Sequence, residues 1–185
     1  MPTRDIETYA QREPLETIKP ELAVQIPLTI ADGHAVQKGD VLGVITSSGY
    51  GRRRSRTTVD TTAFGTGSTT GKVADATLFK DGDVLKNAAG ATIGTIAVGG
   101  INLVTRVITL TANAAVAVAD GAAVYGSDGS EVASVIADEG SDGDGVTSMR
   151  VFIAGLLKKS KLRGLDATAE TELGGKTMPG DIFKF

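Results

Sequence analysis

The chain contains no cysteine and no tryptophan, and only one histidine, His34. The first absence removes disulfides, thiolate metal sites and cysteine nucleophiles together. The scarcity of histidine weakens the case for triad chemistry, because His34 sits in the turn "ADGHAV" with no nucleophile elbow around it. Aromatics make up only 4% of the residues. A core must therefore be assembled from Val, Ile, Leu and Ala, and a stacking platform for sugars is hard to build. No run of eighteen apolar residues occurs, so nothing reads as a transmembrane helix. A net charge of −3 gives no general attraction to nucleic acid or to acidic membranes. The polar, mixed-charge start "MPTRDIETYAQREPLET" lacks the apolar stretch of a secretory signal, so synthesis and retention in a cytosol is the expectation.

Glycine is abundant, at 24 of 185 residues, and threonine and valine are frequent. That combination favours short strands joined by tight turns. The chain is long enough for one large domain or two small ones. Residues 1–21 hold Pro2, Pro14 and Pro20, many charges and no apolar periodicity, and read as an arm. Strand-like alternation begins at Leu22. Val24, Ile26, Leu28 and Ile30 form its expected inward face, and Pro27 argues for an edge or a bulge. "VLGVIT" is the next strand, with Val41, Leu42, Val44 and Ile45 expected to be mostly buried.

The composition shifts at Gly51–Arg56, "GRRRSR", which leads into Thr/Gly-rich text and then a series of short strands with Gly turns. This reads as a small barrel or sandwich inserted between two parts of a core. Two further strands, Val132–Ile136 and Ser148–Leu156, flank the acidic turn "DEGSDGDG". One short helix follows. Asp166 is its expected N-cap and Gly174 its stop, while Leu165, Ala169 and Leu173 share a face. A strand-like tail, "MPGDIFKF", closes the chain. The expected fold is mainly β: a compact β-clip or sandwich-like core from 22–50 and 130–185, one C-terminal helix, and a small β module at 51–129.

Few motifs carry chemistry. The phrase Gly-Asp-Val-Leu occurs twice, in "KGDVLG" and "DGDVLK". It is similar to the strand entry of biotinyl and lipoyl carrier domains, but no modifiable hairpin lysine accompanies it. Turn chemistry explains every residue, since Gly supplies a positive φ and Asp caps the turn before a strand. The carboxylates of the acidic turn, Asp138 to Asp144, do not fit EF-hand spacing, and a solvated hairpin is the expected form. "RRRSR" reads either as a grip for phosphate or an acidic partner, or as an exposed linker. Asp81 and Asp83 are paired carboxylates without a sugar platform. No catalytic, cofactor or metal residues emerge, and the chain does not read as an enzyme.

The polar arm, "VQIPLTIADGHAVQKGDVLGVIT" and the ending "VFIAGLLKKSKLRGLDATAETELGGKTMPGDIFKF" together resemble the lambda-type head decoration proteins of tailed bacteriophages. The matching text is Ile26–Ile45 and Val151–Phe185. "VASVIADE" is similar to a further strand of that family, and Gly51–Gly129 departs from it as an insert. The resemblance implies a homotrimeric cement protein on the outer capsid surface of the virion, made in the host cytoplasm, with the major capsid protein as partner. It implies no cofactor. Under this reading the arm binds the shell through Thr3, Ile6, Tyr9, Leu15 and Ile18, and subunits meet through Leu162, Leu165, Leu173 and Phe183. Rival readings are a receptor- or glycan-binding module displayed by the insert, and a biotinyl- or lipoyl-like carrier.

Overall fold

A computed structural model describes residues 23–178 and 182–185, with side chains over 23–175 and 184–185. The fold is mainly β, with a single short α-helix among the described residues. The strands are β1 (Val24–Ile30), β2 (Val41–Val44), β3 (Gly51–Arg53), β4 (Arg56–Thr58), β5 (Thr70–Lys72), β6 (Val84–Asn87) and β7 (Thr92–Asn102). They continue as β8 (Val107–Leu110), β9 (Ala123–Tyr125), β10 (Val135–Ala137), β11 (Thr147–Ala154), β12 (Leu156–Lys158), β13 (Lys176–Met178) and β14 (Ile182–Lys184), with α1 at Ala167–Glu172. Three sheets result. One is a closed barrel in the order β1-β11-β10-β2-β3, one is the triplet β12-β14-β13, and one is a six-stranded sheet in the order β4-β9-β6-β7-β8-β5.

The chain divides into two compact units. Described residues up to Leu42, with those from Ala133 onward, form the first; Gly43–Val132 forms the second. The expected insert, Gly51–Gly129, lies inside the second unit.

In the first unit the strand period of two sorts side chains into two cores. Leu42, Val135, Ala137, Met149 and Val151 join Ile30 and Val36 in one cluster. Their neighbours Val41, Ile136 and Phe152 join Ala133, Leu157 and Ala169 in the other. Ala169 belongs to α1, so this second cluster lies on the outer wall of the barrel, under the helix. Asp166 caps α1 as expected, accepting the Ala169 amide at 2.7 Å, and Gly174 ends it at φ +68°.

Three strand expectations need correction. Val24 and Ile26 do not join Ile30 in the core; they are 48% and 39% exposed, while Ile30 is fully buried. The register shift of β1 falls between Val24 and Gln25, and Pro27 sits mid-strand opposite Arg150. The single strand expected over Ser148–Leu156 is two, β11 and β12, which belong to different sheets. The break is at Gly155, whose backbone exchanges hydrogen bonds with Phe185 at 3.0 and 3.2 Å. The strand expected at Val132–Ile136 starts only at Val135. Of the four residues expected to be buried after the first Gly-Asp turn, Val41 and Leu42 are, while Val44 and Ile45 are half-buried.

In the second unit the six-stranded sheet curls until its edges meet. Val59 and Val73 form a bridge between the extensions of β4 and β5. The Ala74 amide donates to the Thr58 carbonyl and the Asp60 amide to the Lys72 carbonyl, both at 2.8 Å. Edge strands that pair with each other offer no template to other chains. The enclosed core is aliphatic apart from Phe64 and Phe79.

Candidate functional site

The repeated phrase resolves into one turn used twice. Gly39 and Gly82 hold φ of +88° and +86°, a region that favours glycine. Asp40 accepts the Gln37 amide at 2.8 Å, and Asp83 accepts the Lys80 amide at 3.0 Å. Each aspartate thus caps the amide three residues back before its strand begins. Each also faces an arginine. Arg163 Nε lies 3.5 Å from Asp40, and Arg52 donates to Asp83 at 2.9 Å.

The Arg52 site was not legible in the sequence. Its side chain is fully buried in the second unit. One terminal nitrogen donates to Asp128 at 2.9 Å; the other donates to Asp83 at 2.9 Å and to the Leu78 carbonyl. Burial raises the Asp128 pKa. The Ser130 hydroxyl and amide and the Arg52 charge outweigh that effect and leave it below its ordinary value. The Ser130 hydroxyl donates to Asp128 at 2.5 Å and lies 2.8 Å from the Ser55 hydroxyl. Backbone completes the junction, with the Ser55 amide donating to Ser130 at 3.2 Å and the Thr46 amide to Asp128 at 2.8 Å. The chain segments approach so closely that a Cβ on Gly43 would stand 1.9 Å from the Ser130 carbonyl oxygen.

The basic run is therefore no exposed linker, and both terminal nitrogens of Arg52 are taken up inside the second unit. Arg54 is also buried and donates to the Glu131 carbonyl at 2.9 Å. Arg53 pairs with Asp75 at 3.1 Å, and Arg56 lies 4.9 Å above the Tyr125 ring. Burial raises the Asp75 pKa, but hydrogen bonds from Thr77 and the Arg53 charge bring it below normal. A guanidinium leaves water only when carboxylates and carbonyls take its N–H groups, and these partners lie 22 to 77 residues away.

The acidic turn distributes its carboxylates among separate partners. Asp138 pairs with Lys38 at 3.1 Å and accepts from Gln25 at 2.8 Å. Glu139 accepts the Arg150 amide at 3.1 Å and its Nε at 2.7 Å, which lowers the glutamate pKa and raises that of the arginine. Asp142 accepts the Asp144 amide at 3.1 Å. Among the described residues, no group of three or more His, Asp or Glu side chains is placed to hold a metal ion. His34 is buried in the first unit, where the backbone of Gly143 packs against the peptide following it. Asp81 and Asp83 do not converge: Asp83 faces Arg52, while Asp81 accepts the Gly99 amide at 2.6 Å.

Leu162, Leu165 and Leu173 are half-buried against the outer-wall core of their own unit. The Phe183 side chain lies outside the described residues, as do the arm positions Thr3, Ile6, Tyr9, Leu15 and Ile18. A feature unnoticed in the sequence is the β7–β8 hairpin, where Leu103 and Val104 at the turn and Val98 in the bulge of β7 face solvent. The signal was present: no charged residue lies between Lys86 and Arg106. Compared with family models, curated proteins and solved structures, the chain matches none.

Proposed function

We propose that the chain is a capsid decoration protein, a homotrimer that binds the outer surface of a tailed-phage head and stabilises the shell. One observation carries the reading. The segments with the family resemblance lie toward opposite ends of the sequence, yet they fold together. Ile26 stands opposite Val151 and Leu28 opposite Met149, and Val41 connects through Ile136 to Phe152. A likeness shared by two distant segments gains weight when those segments form one packed unit. The half-buried leucines of that unit, Leu162, Leu165 and Leu173, would contribute their outer edges to the trimer. The arm, which leads directly into β1, would supply the strand that engages the shell.

Co-sedimentation with expanded empty capsids tests the reading. The full chain should pellet with the shells, and a chain lacking residues 1–18 should remain trimeric but stay in the supernatant. Failure of the full chain to bind would remove the proposal; full binding by the truncated chain would remove the role of the arm.

A further inference from the structure

The sequence holds six Asp-Gly pairs, beginning at Asp32, Asp81, Asp120, Asp128, Asp142 and Asp144. Such a pair has a reaction of its own open to it. The glycine amide nitrogen can attack the aspartate side-chain carbon, because no Cβ on the glycine hinders the approach. The fold decides which pairs use it, since ring closure needs a near-attack geometry that engaged groups cannot reach.

Five pairs are tied down. Gly33, Gly82 and Gly121 donate to the backbone carbonyls of Gly143, Ile96 and Val59 at 2.9, 3.1 and 3.0 Å. Their aspartates accept the amides of Gly145, Gly99 and Thr61. Gly129 donates to Glu131, while Asp128 is fixed by Arg52 and Ser130. Gly143 donates to the Ser141 hydroxyl, and Asp142 accepts the Asp144 amide. A Cβ on Gly143 would stand 2.5 Å from the Ala35 nitrogen, so that pair is wedged against the turn after β1. Asp144–Gly145 differs on each count. Among the described residues the exposed Asp144 carboxylate takes part in no hydrogen bond or ion pair. No atom beyond the chain neighbours lies within 4 Å of the Cβ position of Gly145. The Gly145 amide is held by one contact, to the exposed Asp32 carboxylate at 2.9 Å.

We propose that Asp144–Gly145 is a self-modification site, an aspartate that converts spontaneously to isoaspartate, with Asp32 as the latch that slows it. The Gly145 nitrogen bonds to Asp144 Cγ. Its proton and the hydroxyl of the neutral carboxyl leave as water, and a succinimide forms. Water then adds back to the ring. Opening at one carbonyl restores aspartate, and opening at the other routes the main chain through the former side chain. The net change is an isomerisation that needs no oxidant, reductant or cofactor. It places one more backbone atom between the Val36–Ser141 bridge and the start of β11. That atom shifts Gly145 off Asp32 and loosens the acidic turn from the turn after β1. The chemistry is independent of the capsid reading.

Ageing the folded full chain for weeks at neutral pH and physiological temperature tests this. Peptide mapping with fragmentation that separates aspartate from isoaspartate reads each pair, and isoaspartate-specific methyl transfer gives the total. Isoaspartate should accumulate first at position 144, with a transient loss of one water. Asp144→Glu should remove that signal, because the larger ring closes far more slowly. Asp32→Ala should speed conversion at Asp144 about tenfold, the factor carried by one hydrogen bond to a charged group. Both residues are exposed, and circular dichroism should show wild-type folding. In concentrated urea the six pairs should react alike, which shows that the fold makes the selection. Isoaspartate spread evenly over the folded chain, appearing first at Asp142, or absent from Asp144 overturns the site. A rate unchanged or lowered by Asp32→Ala overturns the latch.

Discussion

Replacing Arg52 with alanine tests whether the second unit depends on its buried cation. The substitution leaves Asp83, with an 11% exposed side chain, and Asp128, 29% exposed, without their guanidinium. It also strips a donor from the Leu78 carbonyl. Removing one partner of a buried ion pair costs about 3–5 kcal/mol, because the remaining charge stays desolvated. Water reaches Asp128 and relieves part of that cost, which places the expected loss near the lower end, about 3 kcal/mol. Against a typical total of roughly 5–15 kcal/mol, this is a large fraction. Urea denaturation followed by circular dichroism measures it.

Two companion variants separate electrostatics from packing. Arg52→Lys keeps the charge but cannot reach Asp83, Asp128 and Leu78 together, so its loss should be intermediate, about 1–2 kcal/mol. In a double-mutant cycle, Arg52→Ala and Asp83→Asn should be non-additive by about 1 kcal/mol or more, as members of one network are. A loss below about 1 kcal/mol for Arg52→Ala, or simple additivity in the cycle, would refute the assignment of Arg52 as the centre of this network.

Gly43→Ala should lower stability by about 2 kcal/mol or more in a thermal melt, because its Cβ would overlap the Ser130 carbonyl rather than a movable side chain. Asp166→Ala should cost about 1 kcal/mol, read by the same melt, through loss of the α1 cap. The Asp128 pKa is depressed in the folded chain, so its contribution is fully present above the unfolded carboxylate value and is lost as pH falls through the lower folded value. The stability gap between wild type and Asp128→Asn should therefore narrow below about pH 4; a gap independent of pH from 6 to 2 would contradict the cause given for the shift.

Features set by local chemistry were legible in the sequence. The Asp166 cap and Gly174 stop depend on neighbours within a few residues, and both stand where the text put them. The mainly β character followed from Gly, Thr and Val. What the sequence hid depends on distance along the chain. Alternation indicated that Val24 and Ile26 share a face with Ile30, but it carries no information on how far along the strand the cover extends. Arg52 and Arg54 looked exposed because charge usually is. Their burial depends on Asp83, Asp128 and the Leu78 and Glu131 carbonyls, which no window of a few residues brings together.

The two Gly-Asp-Val-Leu phrases separate these scales. Their local part is the same: a positive-φ glycine, an aspartate accepting the amide three residues back, and a strand beginning at the valine. Their distant part differs. Asp40 is bridged to Arg163, 55% exposed, by a long 3.5 Å contact, whereas Asp83 meets a fully enclosed Arg52 at 2.9 Å. Replacing the aspartate with asparagine therefore leaves a capping oxygen in both turns but removes the charge from different environments. Asp83→Asn leaves a buried guanidinium with Asp128 as its one remaining carboxylate partner; Asp40→Asn leaves a solvated guanidinium. Identical substitutions in identical words should thus cost unequal amounts, with the larger loss at Asp83, because a lost charge partner is expensive only where water cannot replace it.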